Sequence, residues 1–212
     1  MAVLPYCVIL AAVKTTKPSV GVNSERVEFL KVETLRIFYS DFDDSALAPE
    51  VFRQSALEFH RVIASIFRQT AVVPFRFPNL LKSREELEVH LRTNLERYKS
   101  FLEKTRNAVQ IEIALSPIKP PGGSETEKSG TEYLREKQQR TRAVTELSDM
   151  VLVRGKELVL ESRTSNSRVY LLVPRDRIDE LRQRLKDLKD VRVSGPWPAA
   201  EFLETSPLAS NR

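Results

Sequence analysis

Apolar and polar positions follow rhythms that divide the chain into strands and helices. Residues 6–13 carry no charge, the pattern of a central strand covered on both faces. Residues 27–32 and 34–39 read as two strands or one bent one. From Ser45 to Gln69 apolar residues recur every three or four positions (Val51/Phe52, Ala56, Phe59, Val62/Ile63, Ile66/Phe67). This is a broad helical stripe, with Pro49 near its start, where a missing N–H costs nothing. Residues 72–77 predict a strand, and Pro74 places it at a sheet edge or bulge. On that strand Phe75 and Phe77 share one face. Arg76 takes the other, where it requires a carboxylate or carbonyl partner. The order so far is β-β-β-α-β.

Ser83-Arg84-Glu85-Glu86 has the spacing of a capping box, in which hydroxyl and carboxylate each satisfy a free N–H at a helix start. The pattern predicts one long helix over residues 84–106, with Leu87, Leu91, Leu95, Tyr98 and Leu102 as its stripe. Residues 109–115 alternate and predict a half-buried strand. Residues 116–130 hold three prolines and three glycines and predict a mobile loop. A helix follows from Thr131 to about Arg154, stopped at Gly155. Residues 158–160 and 169–173 predict strands around a turn at Ser165-Asn166-Ser167. Residues 175–188 predict an amphipathic helix, and residues 191–194 a last strand ended by Gly195-Pro196. From Val109 onward the order is β-α-β-β-α-β, the split βαβ or ferredoxin-like pattern. The expected fold class is therefore α+β with two domains. Residues 1–80 form an N-terminal sheet-plus-helix domain, residues 81–205 form the second, and residues 206–212 are a tail.

Composition narrows the functional classes. The chain has 212 residues, 41% of them hydrophobic and 30% charged, enough for a substantial core beneath solvated helices. A net charge of +5 is compatible with an acidic partner but does not specify one. The single cysteine, Cys7, cannot form an internal disulfide, so nothing requires an oxidising compartment. No basic side chain precedes the apolar run at residues 8–13, which is also too short to span a bilayer. A cytoplasmic location is expected.

The side chains offer little chemistry. His60 and His90 each adjoin an apolar stripe residue and lack convergent partners for metal or triad chemistry. Pro121-Gly122-Gly123-Ser124 lacks the spacing and the Lys of a phosphate-binding loop. Asp41, Asp43 and Asp44 lack the Gly and distal Glu of a calcium loop and read as a solvated turn capping the next helix. No catalytic, cofactor-binding or metal residue is assigned. From Thr131 to Arg192 there are 15 Lys/Arg against 11 Asp/Glu, a net of +4. Tyr170 is the lone aromatic on the strands that would have to stack bases. The first turns of the helix from Thr131 contain only Tyr133 and Leu134 as large apolar residues, among Arg135, Lys137, Arg140 and Arg142. Either this end projects into solvent, or Tyr133 and Leu134 anchor it on the other domain or on a partner. Gly195-Pro196-Trp197-Pro198 holds the only tryptophan between two prolines, a stiff segment read as a structural anchor with Trp197 packed on the last strand.

Three segments, in order, resemble the gas vesicle synthesis proteins of the GvpF/GvpL family. Val73-Pro74-Phe75-Arg76-Phe77 is similar to that family's Leu-Pro-(Leu/Phe)-Arg-Phe-Gly run. Ser129-Gly130-Thr131-Glu132-Tyr133-Leu134 is similar to its Ser-Gly-x-x-Tyr-Leu helix start. Gly195-Pro196-Trp197-Pro198 is similar to its Gly-Pro-Trp-Pro-Pro-Tyr-x-Phe ending. Pro78 replaces the usual Gly, and Ala199-Ala200-Glu201-Phe202 keeps only the final aromatic, as in a divergent member. The resemblance implies two α+β domains, the first a modified ferredoxin fold. It implies a non-enzymatic accessory protein that binds the hydrophobic shell subunit and assists its delivery into the growing gas vesicle. The partners implied are the shell protein and other accessory proteins, with no cofactor, nucleic acid or membrane, at the vesicle in the cytoplasm. Phe75, Arg76, Phe77, Tyr133 and Leu134 are the expected partner-binding residues. The alternatives are a nucleic-acid-binding ferredoxin-like protein and a small cytosolic enzyme with an unrecognised site.

Overall fold

The computed structural model describes residues 2–42, 49–116 and 130–203. Contacts divide the chain into two compact units, Met1–Asn107 with Pro198–Arg212, and Ala108–Trp197. The boundary expected at residue 80 therefore moves to residue 107. The helices after the capping box pack on the first sheet, which would otherwise expose one whole face.

In the first unit, strands β1 (Ala2–Leu10), β2 (Glu28–Val32), β3 (Leu35–Phe42) and β4 (Val73–Pro74) form an antiparallel sheet in the order β2-β3-β1-β4. The two-strand reading of residues 27–39 is the correct one. Val32 faces Leu35 across a two-residue turn, in which Glu33 has a φ of 51°. Helix α1 (Pro49–Phe67) covers one face, with the Phe59 ring 5.3 Å from Tyr6. Helices α2 (Arg84–Thr93) and α3 (Leu95–Lys104) cover the other, which is why β1 is apolar throughout and buried on both faces. Arg84 ties α2 to the sheet. It bonds Asp41 at 2.6 Å and Glu28 at 3.2 Å, and lies 5.3 Å over the Tyr39 ring. Asp41 thus belongs to a strand and an ion pair rather than to a helix-capping turn. Asp43 and Asp44 lie outside the described residues.

The capping box forms as its spacing predicts. Ser83 Oγ accepts from the Glu86 N–H, and the Glu86 carboxylate accepts from the Lys82 N–H. The single helix expected over residues 84–106 is instead two, broken at Asn94 (φ −106°, ψ 13°). The Asn94 side-chain amide donates to the His90 carbonyl at 2.9 Å, a local bond that competes with continuation of the helix.

In the second unit, strands β5 (Ala108–Leu115), β6 (Glu161–Ser165), β7 (Arg168–Pro174) and β8 (Val191–Trp197) form an antiparallel sheet in the order β6-β7-β5-β8. Helix α4 (Gly130–Gly155) joins β5 to β6, and α5 (Ile178–Leu185) joins β7 to β8. This is the expected β-α-β-β-α-β ferredoxin-like pattern. The core gathers Val109, Ile111, Ile113, Val169, Leu171, Val173, Val151, Leu181 and Leu185. Counted within each unit, both sheets have the strand order 2-3-1-4. In the first unit residues 11–27, with one 3-10 turn at Val22–Ser24, stand where the first crossover helix would be.

Two strand expectations are corrected. Residues 158–160 are not a strand. Leu158 is buried and its N–H donates to the Gly155 carbonyl, sealing the end of α4. The strand is the polar stretch that follows, at the edge of the sheet. β8 does not stop at Gly195-Pro196. Gln110 pairs with Trp197 and Glu112 with Ser194, so Gly195 and Pro196 together face Ile111 as a bulge. The loop expected at residues 116–130 falls almost wholly outside the described residues.

Candidate functional site

The segment Val73–Leu81 runs beside β1 and leaves it once. Val73 and Pro74 pair with Val8 and Cys7, and the Phe75 N–H donates to the Tyr6 carbonyl at 2.9 Å. A turn closed by Asn79 N–H to Arg76 carbonyl at 2.8 Å interrupts the pairing. Leu81 then rejoins Val3 through two backbone hydrogen bonds. Pro74 ends the regular strand because it brings no N–H, and β4 is an edge, as expected.

This turn separates the two phenylalanines expected on one face. Phe75 packs 5.4 Å from His90 on α2. Phe77 packs 5.3 Å from Phe59 and 5.2 Å from Phe52 on α1. Once the strand ends at Pro74, alternation no longer dictates side-chain direction, and each ring fills the gap between sheet and helix nearest to it. Arg76 stands between them and is exposed. Among the described residues its side chain makes no hydrogen bond or ion pair, contrary to the pairing expected of it.

Phe52 is the member of this cluster whose exposure the sequence pattern does not show. Seven positions before Phe59, it continues the stripe of α1, yet it is 41% exposed. Tyr6, Phe59, Phe77 and Phe52 form a row of rings 5.2–5.3 Å apart that leads from the core to the surface. Such spacings are those of favourable tilted and edge contacts.

Tyr133 and Leu134 lie in the second unit, on the first turn of α4, at 59% and 58% exposure. Every described side chain from Thr131 to Arg142 is exposed. This exposed start fits either projection into solvent or a contact with a partner. Gly195 adopts a φ of 119° and its carbonyl accepts from Arg182. Trp197 is half exposed, with its indole N–H 3.4 Å from Ser194 Oγ, so it is not the packed anchor expected. In the first unit the buried aromatic of the terminal segment is Phe202.

Among the described residues the titratable groups do not converge. His90 Nε2 lies 2.8 Å from Tyr98 Oη, and burial followed by the nearby Arg97 charge lowers the imidazole pKa. His60 is exposed. Burial pushes the Cys7 thiol pKa up, away from a reactive thiolate. On the polar face of the second sheet Tyr170 stands among Arg163, paired with Glu161, and Arg168, paired with Glu112. No group of three His, Cys, Asp or Glu side chains among the described residues is placed to hold a metal ion. No helix among them is long and apolar enough to cross a membrane.

The chain matches the family described as gas vesicle synthesis protein GvpL/GvpF over residues 2–155. It belongs to that family. The solved GvpF from Anabaena sp. PCC7120 is similar in fold, with a TM-score of 0.75 and 14% identity over 97% of each chain. GvpF from Microcystis aeruginosa gives a TM-score of 0.69 and 14% identity, over 95% of this chain and 98% of that one. No curated protein matches. Membership of GvpL/GvpF assigns the chain a role in gas vesicle assembly, in a family of assembly or structural proteins rather than a known enzyme family.

Proposed function

We propose that this GvpL/GvpF protein binds the hydrophobic gas vesicle shell subunit and assists its delivery to the growing shell, without enzymatic chemistry. The observation that carries this reading is the row of rings from buried Tyr6 to half-exposed Phe52, with exposed Arg76 beside it. A surface aromatic braced from below gives an apolar segment rigid contact area, and an adjacent arginine adds a directional donor. Phe77 acts here mainly as the brace, Phe75 secures the turn against α2, and Phe52 and Arg76 form the contact. Tyr133 and Leu134 form a second apolar point, suited to another accessory protein. Binding takes place in the cytoplasm, where shell subunits must be held soluble before assembly.

The test is co-expression of the full chain with candidate shell subunits, followed by pull-down. Phe52→Asp and Arg76→Glu should each lower capture at least several-fold while thermal melting stays within a few degrees of the parent. Undiminished capture by both variants overturns the assignment of this surface. No capture by the parent chain, with the shell subunit confirmed soluble, overturns the function.

A further inference from the structure

β6 (Glu161–Ser165) is the outermost strand of its sheet, and among the described residues no strand lies beside it. Among the described residues no strand bonds its outer side, which leaves an edge able to template another strand. Of the usual protective devices it has short length and the two charges of Glu161 and Arg163, but no proline, no lysine and no bulge interrupts Glu161-Ser162-Arg163-Thr164-Ser165. The helix layer also stops short of this edge. Ser162 and Thr164 pair with Leu171 and Val169 on the core side of the sheet, yet both are exposed. A groove between α4 and β6 has an apolar floor of Leu152, Val153, Val159, Leu160 and Leu171, rimmed by Lys156, Glu161 and Ser162. Val153 is 74% exposed and Leu160 62%.

We infer that this edge pairs with β6 of a second copy of the chain, joining two four-stranded sheets into one of eight strands. The charge pattern of β6 is self-complementary at one register. With a two-fold axis through Ser162, antiparallel pairing places Glu161 of each copy opposite Arg163 of the other, and Ser162 opposite Ser162. Centring on Arg163 instead would oppose two arginines, and opposite charges stabilise a cross-strand pair where like charges destabilise it. The same axis brings the two exposed Val153–Leu160 grooves together on the helix side, so an isologous contact covers apolar surface on both copies at once. The residues lie in the second unit and share none with the proposed shell-binding surface, so this inference stands apart from that reading.

The register gives a sharp test. Directly opposed residues in an antiparallel pair have Cα atoms about 4.5–5.5 Å apart, within the roughly 4.4–6.8 Å that a disulfide spans. Cys7, the only native cysteine, is buried and does not compete. The full-length Ser162→Cys protein should form disulfide-linked dimers under mild oxidation, and Ser165→Cys should form at least five-fold fewer. By sedimentation the parent chain should be a dimer at micromolar concentration. Glu161→Arg and Arg163→Glu should each weaken it at least ten-fold, and the double exchange should restore it, which a mere folding defect would not do. A monomeric parent overturns the inference, as does a dimer indifferent to the charge exchanges. Pairing of β6 with a strand of a different protein, with the chain alone monomeric, overturns it in favour of that occupant.

Discussion

His90 and Tyr98 join the two halves of a broken helix, with Nε2 and Oη 2.8 Å apart across the interruption at Asn94. The bond lies on the α2–α3 layer that closes one face of the first sheet. Burial lowers the His90 pKa first and the Arg97 charge adds to this, with Glu86 opposing, while burial raises the pKa of Tyr98. The folded state therefore holds a neutral ring against a neutral phenol. A ring whose folded pKa lies below the ordinary value of about 6.5 binds its proton more weakly when folded. Its contribution is complete above about pH 6.5 and is lost as the pH falls below that value towards the lowered folded one. Denaturant melts at pH 7.5 and pH 5.0 should show a loss of stability that His90→Gln reduces. An unchanged difference would assign the acid sensitivity to other groups.

Tyr6 makes the second prediction. Its hydroxyl lies 3.0 Å from Ser40 Oγ and accepts from the Val22 N–H at 3.0 Å. Ser40 Oγ also bonds the Arg26 carbonyl. This buried group holds residues 21–26, part of the stretch that replaces the missing crossover helix, against the sheet. Tyr6→Phe should cost about 1–3 kcal/mol, the range for stranding a buried donor. Gly21→Ala should be at least as damaging, because a Cβ there would collide with the Tyr6 hydroxyl. Chemical denaturation of both variants measures this.

A third prediction separates Gly195 from Trp197. A Cβ on Gly195 would sit 2.9 Å from the Gln110 carbonyl oxygen, on a backbone with φ of 119° that side chains rarely adopt. Gly195→Ala should cost about 2–3 kcal/mol. Trp197→Ala should cost about 1 kcal/mol, well short of the about 3–5 of a buried aromatic, since its ring is half exposed. Equal losses would mean that Trp197 is packed more fully than its exposure indicates.

Much of this fold is legible in the sequence. The uncharged β1, the stripe of α1, the capping box at Ser83 and the β-α-β-β-α-β order of the second unit all follow from periodicity and cap chemistry. The failures have separate local causes. Asn94 breaks a helix through its own side chain, which an apolar stripe running through it does not reveal. β6 is an edge strand of polar residues, so the hydrophobic signal belonged to its neighbours at residues 158–160. β8 passes Gly195-Pro196 because a bulge absorbs both residues, and only the pairing with β5 shows this. At the candidate site, the run from Phe75 to Phe77 is visible but its geometry is not. Alternation holds only while a strand lasts, and this one lasts two residues. The exposure of Phe52 depends on where the sheet beneath α1 ends.

The last prediction uses that row of rings to separate support from contact. Phe77 is partly buried between Phe59 and Phe52, whereas Phe52 is 41% exposed. Phe77→Ala should cost about 2–3 kcal/mol, somewhat below the loss of a fully buried aromatic. Phe52→Ala should cost about 1 kcal/mol or less, as surface truncations do. Shell-subunit capture should follow the reverse order once both variants are held well below their melting temperatures. Phe52→Ala then loses contact area directly, and Phe77→Ala loses only the brace. Leucine at position 77, apolar and large, should recover most of the stability and most of the capture. Leucine at position 52 should recover capture only in part, because it lacks the flat face of the ring. If Phe77→Ala abolishes capture in a folded protein while Phe52→Ala leaves it intact, the contact is made at the turn itself, by Arg76 and its neighbours, and not by the end of α1.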